Sequence, residues 1–147
     1  MIYDNPFETR LSDVLFHEGE PATGAAREDI NITVQAEPIP AGTVVFRALT
    51  ETDQEAEYTV MTEANLVASA VVGNEFGIVI GDQFGFRASF VPKAVKAGTF
   101  NAVVLKRDNI QVKDAALKAT LGETTDAQFN VLRELLKRQG VIAELTY

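Results

Sequence analysis

Hydrophobic positions change their spacing along the chain. Near the N-terminus Phe7, Leu11 and Leu15 recur every fourth residue, with Val14 beside them. That spacing predicts one stripe of a short amphipathic helix. Residues 17–26 follow, rich in Gly, Pro and small side chains without an apolar period, and read as a linker. From residue 30 the period becomes two. Ile30, Ile32, Val34 and Ala36 alternate with Asn31, Thr33 and Gln35, as in a half-buried strand. Pro38 and Pro40 stop it, because proline has no N–H for a ladder.

The same reading places strands at Thr43–Leu49, Tyr58–Met61, Phe76–Ile80 and Thr99–Lys106, with a polar loop over 50–57. The apolar stretch from Asn65 to Val72 fits a strand or a helix equally. Phe84, Phe86 and Phe90 share one face of an extended piece and are expected in the core. A C-terminal helix is the clearest local signal. Thr125 and Gln128 form a capping box, Phe129, Leu132, Leu135 and Leu136 a stripe, and Lys137 and Arg138 a basic last turn. Gly140 closes a helix of about 126–139, and Val141–Leu145 follows as a terminal strand. The expectation is a mainly β (α+β) fold. It is a small β-sandwich or barrel-like domain with one C-terminal helix and an extended N-terminal arm. The arm and linker span 1–29 and a single domain spans 30–147.

Composition narrows the chemistry. The 147 residues contain no Cys, no Trp and one His, His17, at the edge of the linker, where a solvated loop residue is expected. Disulfides, thiolate metal sites and cysteine nucleophiles are excluded. Ser12, Ser69 and Ser89 lack a Gly-x-Ser-x-Gly setting, and a Ser-His-Asp site is not expected. Glu51, Asp53, Glu55 and Glu57 would share one face if extended, but the calcium-loop spacing and its glycine are missing, so a solvated loop is expected. Gly73-x-x-x-Gly77 lacks the Gly-Lys-Thr of a phosphate loop. The reading is a non-enzymatic protein without cofactor or metal.

The formal net charge is −8, and it is unevenly divided. Residues 1–92 carry four Arg against 15 acids, net −11, and residues 93–147 carry six Lys and three Arg against six acids, net +3. An acidic chain repels phosphate backbones, so no nucleic-acid partner is expected. No run of 18 apolar residues exists, and no membrane span or signal peptide is read from the sequence. Lys106, Arg107, Arg133, Lys137 and Arg138 supply a basic surface expected to pair with the acidic part of a neighbouring copy.

The C-terminal third carries a resemblance. Ala102-Val103-Val104-Leu105-Lys106-Arg107 is followed by Ile110-Gln111-Val112, Ala115-Ala116-Leu117, the capped helix and Gln139-Gly140-Val141-Ile142-Ala143. Upstream stand Ile39-Pro40-Ala41-Gly42-Thr43-Val44 and Gly77-Ile78-Val79-Ile80-Gly81-Asp82. This order resembles the lambda-type head decoration proteins of tailed bacteriophages, over roughly residues 36–145. Arg107-Asp108 departs from the small turn expected after the Val-Val-Leu strand, and residues 1–29 have no counterpart in the pattern. The resemblance implies a cement protein without catalytic residues. Its partners would be the major capsid protein and itself, as a trimer at local three-fold positions outside the expanded shell. It would be made in the host cytoplasm and end on the virion surface. An arm of Tyr3, Phe7, Leu11, Leu15 and Phe16, with the strand residues Ile30, Ile32 and Val34, would contact the capsid, partly by strand addition. Two alternatives stand beside it. One is another phage structural protein of the tail tube, joining region or fibre base. The other is a small-ligand-binding β-barrel.

Overall fold

The computed structural model describes residues 14–17, 26–107, 110–122 and 124–144, without the side chains of Phe16, His17 and Glu144. The strands are β1 (Leu15–His17), β2 (Arg27–Ile32), β3 (Ile39–Pro40), β4 (Val44–Ala48), β5 (Glu57–Val60), β6 (Asn74–Asp82), β7 (Gly85–Phe86), β8 (Ser89–Phe90), β9 (Ala102–Leu105), β10 (Ile110–Lys113) and β11 (Val141–Glu144). Helices are α1 (Leu66–Ser69), α2 (Asp114–Leu121) and α3 (Asp126–Arg138).

The fold is mainly β, and its centre is a closed five-strand barrel. The strands run β4-β5-β2-β9-β6, and β6 pairs back onto β4. β2 and β5 are parallel, and the other barrel pairs are antiparallel. Closure removes the sheet edges that would otherwise invite pairing. Strand alternation sorts the side chains into two cores. Ile30, Ile32, Val45, Tyr58, Val79, Ala102 and Val104 pack together inside the barrel, with Val60 against them. Val44, Phe76, Ile78, Ile80 and Leu105 face outward and pack under Leu117, Leu121, Phe129, Leu132 and Leu136 of the two longer helices.

So narrow a barrel leaves little room where strands β6 and β9 face each other. A Cβ on Gly77 would sit 2.9 Å from the Cβ of Val104, and the absent side chain lets the strands close. The helix α3 starts as its sequence predicts. The Thr125 hydroxyl accepts the Gln128 N–H, and the Gln128 side chain accepts the Thr125 N–H. Its last turn is tied to the barrel by Gln139, whose amide bonds both backbone groups of Phe76 and the carbonyl of Lys106.

A three-stranded sheet lies beside the barrel, in the order β1-β10-β11. It changes the expected division of the chain. Leu15–His17 is strand, antiparallel to β10, so the helical stripe read through Leu15 does not extend to that residue, and His17 lies in the strand, opposite Gln111. Val14 is fully buried in the outer core, as is Ala26. β2 begins at Arg27, so the expected boundary between 29 and 30 cuts through a barrel strand. Burial of Val14 and Ala26 and ladder pairing on both sides of the linker bind this part of the expected arm to the domain.

Candidate interaction surfaces and the charged barrel mouth

Counting by twos along the barrel strands leads from apolar residues to charged ones at one end. Glu28 precedes Ile30 and Ile32 on β2, Arg47 follows Val45 on β4, Glu75 precedes Gly77 and Val79 on β6, and Lys106 follows Ala102 and Val104 beyond β9. All four therefore turn towards the barrel axis at the same mouth. Tyr58 on β5 supplies a phenol between them.

These groups form one network. Lys106 Nζ lies 2.8 Å from Glu28 Oε2 and 3.3 Å from Glu75 Oε1. It also donates to the Tyr58 hydroxyl at 2.8 Å, and that hydroxyl donates to Glu75 Oε1 at 2.8 Å. The Arg47 guanidinium bonds Glu75 at 2.6 Å and covers the Tyr58 ring 4.5 Å from its centroid. Arg47 also donates to the carbonyls of Asp53 and Ala56, anchoring the acidic loop on the mouth. Arg107 adds an outer contact, 2.7 Å from Glu28.

Ionisation follows from this geometry. Burial raises the Glu28 carboxyl, but the bonds and charges of Lys106 and Arg107 outweigh it and hold it below the ordinary carboxylate value. Burial likewise raises Glu75, and Arg47, Tyr58 and Lys106 together pull it down further. Burial disfavours the ammonium of Lys106, yet its bonds to Glu28 and Tyr58 raise it overall. Arg47 is raised in the same way, chiefly by Glu75 against its own burial. Tyr58 is pushed up to about 12, first by burial, with Lys106 opposing and Glu75 adding to the rise. The mouth is thus a fully ionised, internally paired plug with a neutral phenol at its centre.

The expected basic surface is therefore mostly spent inside the molecule. Lys106 faces the barrel, with 11% of its side chain exposed, and cannot serve as a contact between subunits. Arg107 is half-exposed but bound to Glu28. Arg133 reaches Asp114, buried at the start of α2, at 3.2 Å, and lies over the Phe129 ring. Lys137 and Arg138 are exposed on α3.

The expected capsid-contact residues also divide. Tyr3, Phe7 and Leu11 lie outside the described residues, as does the side chain of Phe16. Leu15 packs, half-buried, against the outer core. Ile30 and Ile32 are each 1% exposed inside the barrel, so neither can meet a partner. β2 is already paired within the barrel, from Arg27 to Ile30 with β9 and at Asn31 and Ile32 with β5. Among the described contact residues, Val34, just past the strand, is the exposed one.

The phenylalanine face read from the sequence is split three ways. Phe86 packs on the outer core and Phe90 on the inner one, while Phe84 is 77% exposed at the tip between β6 and β7. Alternation does not survive the tight turn there. A cleft of about 170 Å³ opens between Phe84, Phe90, Val91, Val95 and Asn101. In the acidic loop, Glu51 and Asp53 accept N–H groups of their own loop, and Glu55 accepts the Gly98 N–H. Among the described residues no group of three His, Asp or Glu converges on a metal position.

Sequence reasoning missed the plug because its members come from four strands and the residue just after a fifth. The signal was nevertheless present: charges at the inward parity of apolar strands, two residues beyond a buried position. A second feature it missed is an aliphatic corner. The Leu49 N–H bonds the Gly73 carbonyl, bringing Leu49 beside Val72, and Val67 and Val71 stand on and just after α1. All four are exposed. Comparison with protein-family models, curated proteins and solved structures finds no match to this chain.

Proposed function

We propose that this chain is a structural virion protein that binds the outside of a phage capsid, as a trimer at local three-fold positions, and stabilises the expanded shell. The observation that carries the reading is how the chain disposes of its reactive groups. Charges at the barrel mouth are paired with one another, the barrel interior is filled by aliphatic side chains and Tyr58, and apolar side chains are left on the outside. Such a molecule works by contact.

The phage assignment rests on the resemblance. The segments that carry it form the Ala-Val-Val-Leu strand β9, the capped helix α3 and the closing strand β11. The proposed partners are the major capsid protein and two further copies. Tyr3, Phe7 and Leu11 remain proposed contacts, and Lys137 and Arg138 are the remaining candidates for charge contacts between copies.

A ligand-binding barrel is favoured less. Small-molecule pockets commonly enclose roughly 300–1,000 Å³, whereas the cleft at Phe84 has about 170 Å³ and lies outside the filled barrel. The test adds purified chain to empty expanded capsids of the phage that encodes it, followed by cryo-electron microscopy. Trimeric density at local three-fold positions is expected. Density on the tail, or none on the shell, would overturn the assignment.

A further inference from the structure

The loop 50–57 leaves the end of β4 and returns to the start of β5, and it carries Glu51, Asp53, Glu55 and Glu57, all exposed. Four like charges so close together favour an open loop. Its internal bonds are local and do not hold it to the barrel. The Asp53 N–H donates to Glu51, the Glu55 N–H to Asp53, and the Ala56 N–H to the Asp53 carbonyl. Two bonds to the rest of the molecule lie at the exposed side, from Asn31 to the Glu55 carbonyl and from the Gly98 N–H to the Glu55 carboxylate. Arg47 supplies two more from a single nitrogen. Its Nη1 donates to the carbonyls of Asp53 at 3.0 Å and Ala56 at 3.3 Å. Arg47 is itself held from behind. Its Nε lies 2.6 Å from Glu75 Oε1, with the two side chains only 12% and 13% exposed, and its guanidinium covers the Tyr58 ring. The guanidinium is a rigid planar fork, so seating Nε on Glu75 aims Nη1 at the loop.

We propose that Glu75 acts through Arg47 as a charge-operated latch on loop 50–57: the ionised carboxylate keeps the loop on the barrel mouth, and a neutral side chain there releases it. The physical reason is the cost of a buried cation without its counter-charge. Lys106 Nζ lies 3.3 Å from the same Glu75 oxygen, so Arg47 and Lys106 share that carboxylate. When its charge is lost, Lys106 keeps Glu28 at 2.8 Å, whereas Arg47 has no second carboxylate among the described residues. Arg47 is therefore the cation that swings out to water, and both loop carbonyls lose their donor. The charged and titratable groups facing Glu75 are Arg47 from β4, Tyr58 from β5 and Lys106 from just past β9, with Glu28 of β2 beyond Lys106. Burial raises the Glu75 carboxyl, but Arg47, Tyr58 and Lys106 bring it below its ordinary value, so the latch stays shut until pH falls through that lowered value. The latch does not depend on capsid binding.

Limited digestion of the full-length chain under native conditions, with an endoprotease that cuts after glutamate, tests the latch. Mass spectrometry resolves cleavage after Glu51, Glu55 and Glu57 in the loop from cleavage after Glu134 in α3, which reports global unfolding. Glu75→Gln should be cut in the loop at least ten-fold faster than the natural chain. Arg47→Lys keeps a cation beside Glu75 but lacks the planar fork, and should release the loop as well. Lys106→Ala weakens the plug while leaving the pair of Arg47 and Glu75, so its loop should be cut at close to the natural rate. If Glu134 is cut as fast as the loop in Glu75→Gln, that variant has unfolded and Arg47→Lys decides. Loop cleavage at the natural rate in folded Glu75→Gln or in Arg47→Lys would overturn the latch. An equal rise in Lys106→Ala would overturn it too, because the loop would then merely follow the stability of the mouth.

Discussion

Lys106 and Glu28, 78 positions apart in the chain, meet at 2.8 Å inside the barrel mouth, with the ammonium also bonded to Tyr58. The pair joins β2 to the end of β9. Removing one partner of a buried pair costs more than the pair contributes, because the other charge stays behind without compensation. Lys106→Ala should therefore cost about 3 kcal/mol, since it leaves Glu28 and Glu75 near one another without the shared cation. Arg107→Ala, at the half-exposed outer contact, should cost under about 1 kcal/mol. Urea unfolding of both variants checks this, and equal losses would show that Lys106 is not central.

The pH dependence has two limbs. Glu28 and Glu75 ionise more readily in the folded protein, so their contribution is present above the ordinary carboxylate value and is lost as pH falls through their depressed folded values. Tyr58 has the opposite sign. Its folded value of about 12 exceeds its ordinary 10.0, so its contribution is complete below pH 10 and is lost as pH rises from there to about 12. Lys106, also raised, loses its contribution on the same alkaline side. Unfolding free energy measured against pH should fall at both ends. In Tyr58→Phe the absorbance change of a phenol ionising near pH 12 should be missing.

Gly77 tests the closure of the barrel. Gly77→Ala places a methyl 2.9 Å from Val104 in the filled interior, and overpacking of this kind costs about 1–3 kcal/mol. Gly73→Ala is the contrast, because nothing stands within 4 Å of a Cβ there. Thermal unfolding should separate them by several degrees. A Val104→Ala change combined with Gly77→Ala should recover part of the loss.

The capping box gives a local prediction. Thr125→Ala removes the acceptor for the Gln128 N–H and should cost about 1 kcal/mol. Gln139→Ala should cost more, about 2 kcal/mol, because it strands the N–H and carbonyl of Phe76 and the carbonyl of Lys106. Denaturant midpoints of the two variants check the order.

Sequence period was informative wherever one face of an element meets a core. Ile30 and Ile32, Val44 to Phe46, Phe76 to Ile80 and the α3 stripe all occur in the elements their spacing predicts. It was silent where long-range geometry decides. Nothing local shows that β2 runs parallel to β5 and antiparallel to β9, which makes the sheet a barrel and buries the strand expected to bind a partner. No helix was read over α2, whose Ala115-Ala116-Leu117 entered only through the resemblance. This helix follows β10 directly and its N-cap, Lys113, offers no side-chain cap, so the usual start signal is missing. The basic residues near the C-terminus were visible as charges. Whether each faced inward depended on partners as distant as Glu28 and Glu75.

The three-stranded sheet has a mechanical consequence. β1 and β11 flank the same strand, β10, and neighbouring strands are spaced by about 4.8 Å. Tension applied through the chain ahead of Leu15 and beyond Glu144 would thus pass from β1 across β10 to β11, a path about 10 Å wide. The barrel lies off this line of force. Stretched between its two ends, the chain would yield first by peeling these short strands, while the barrel, with the ion plug intact, keeps its shape.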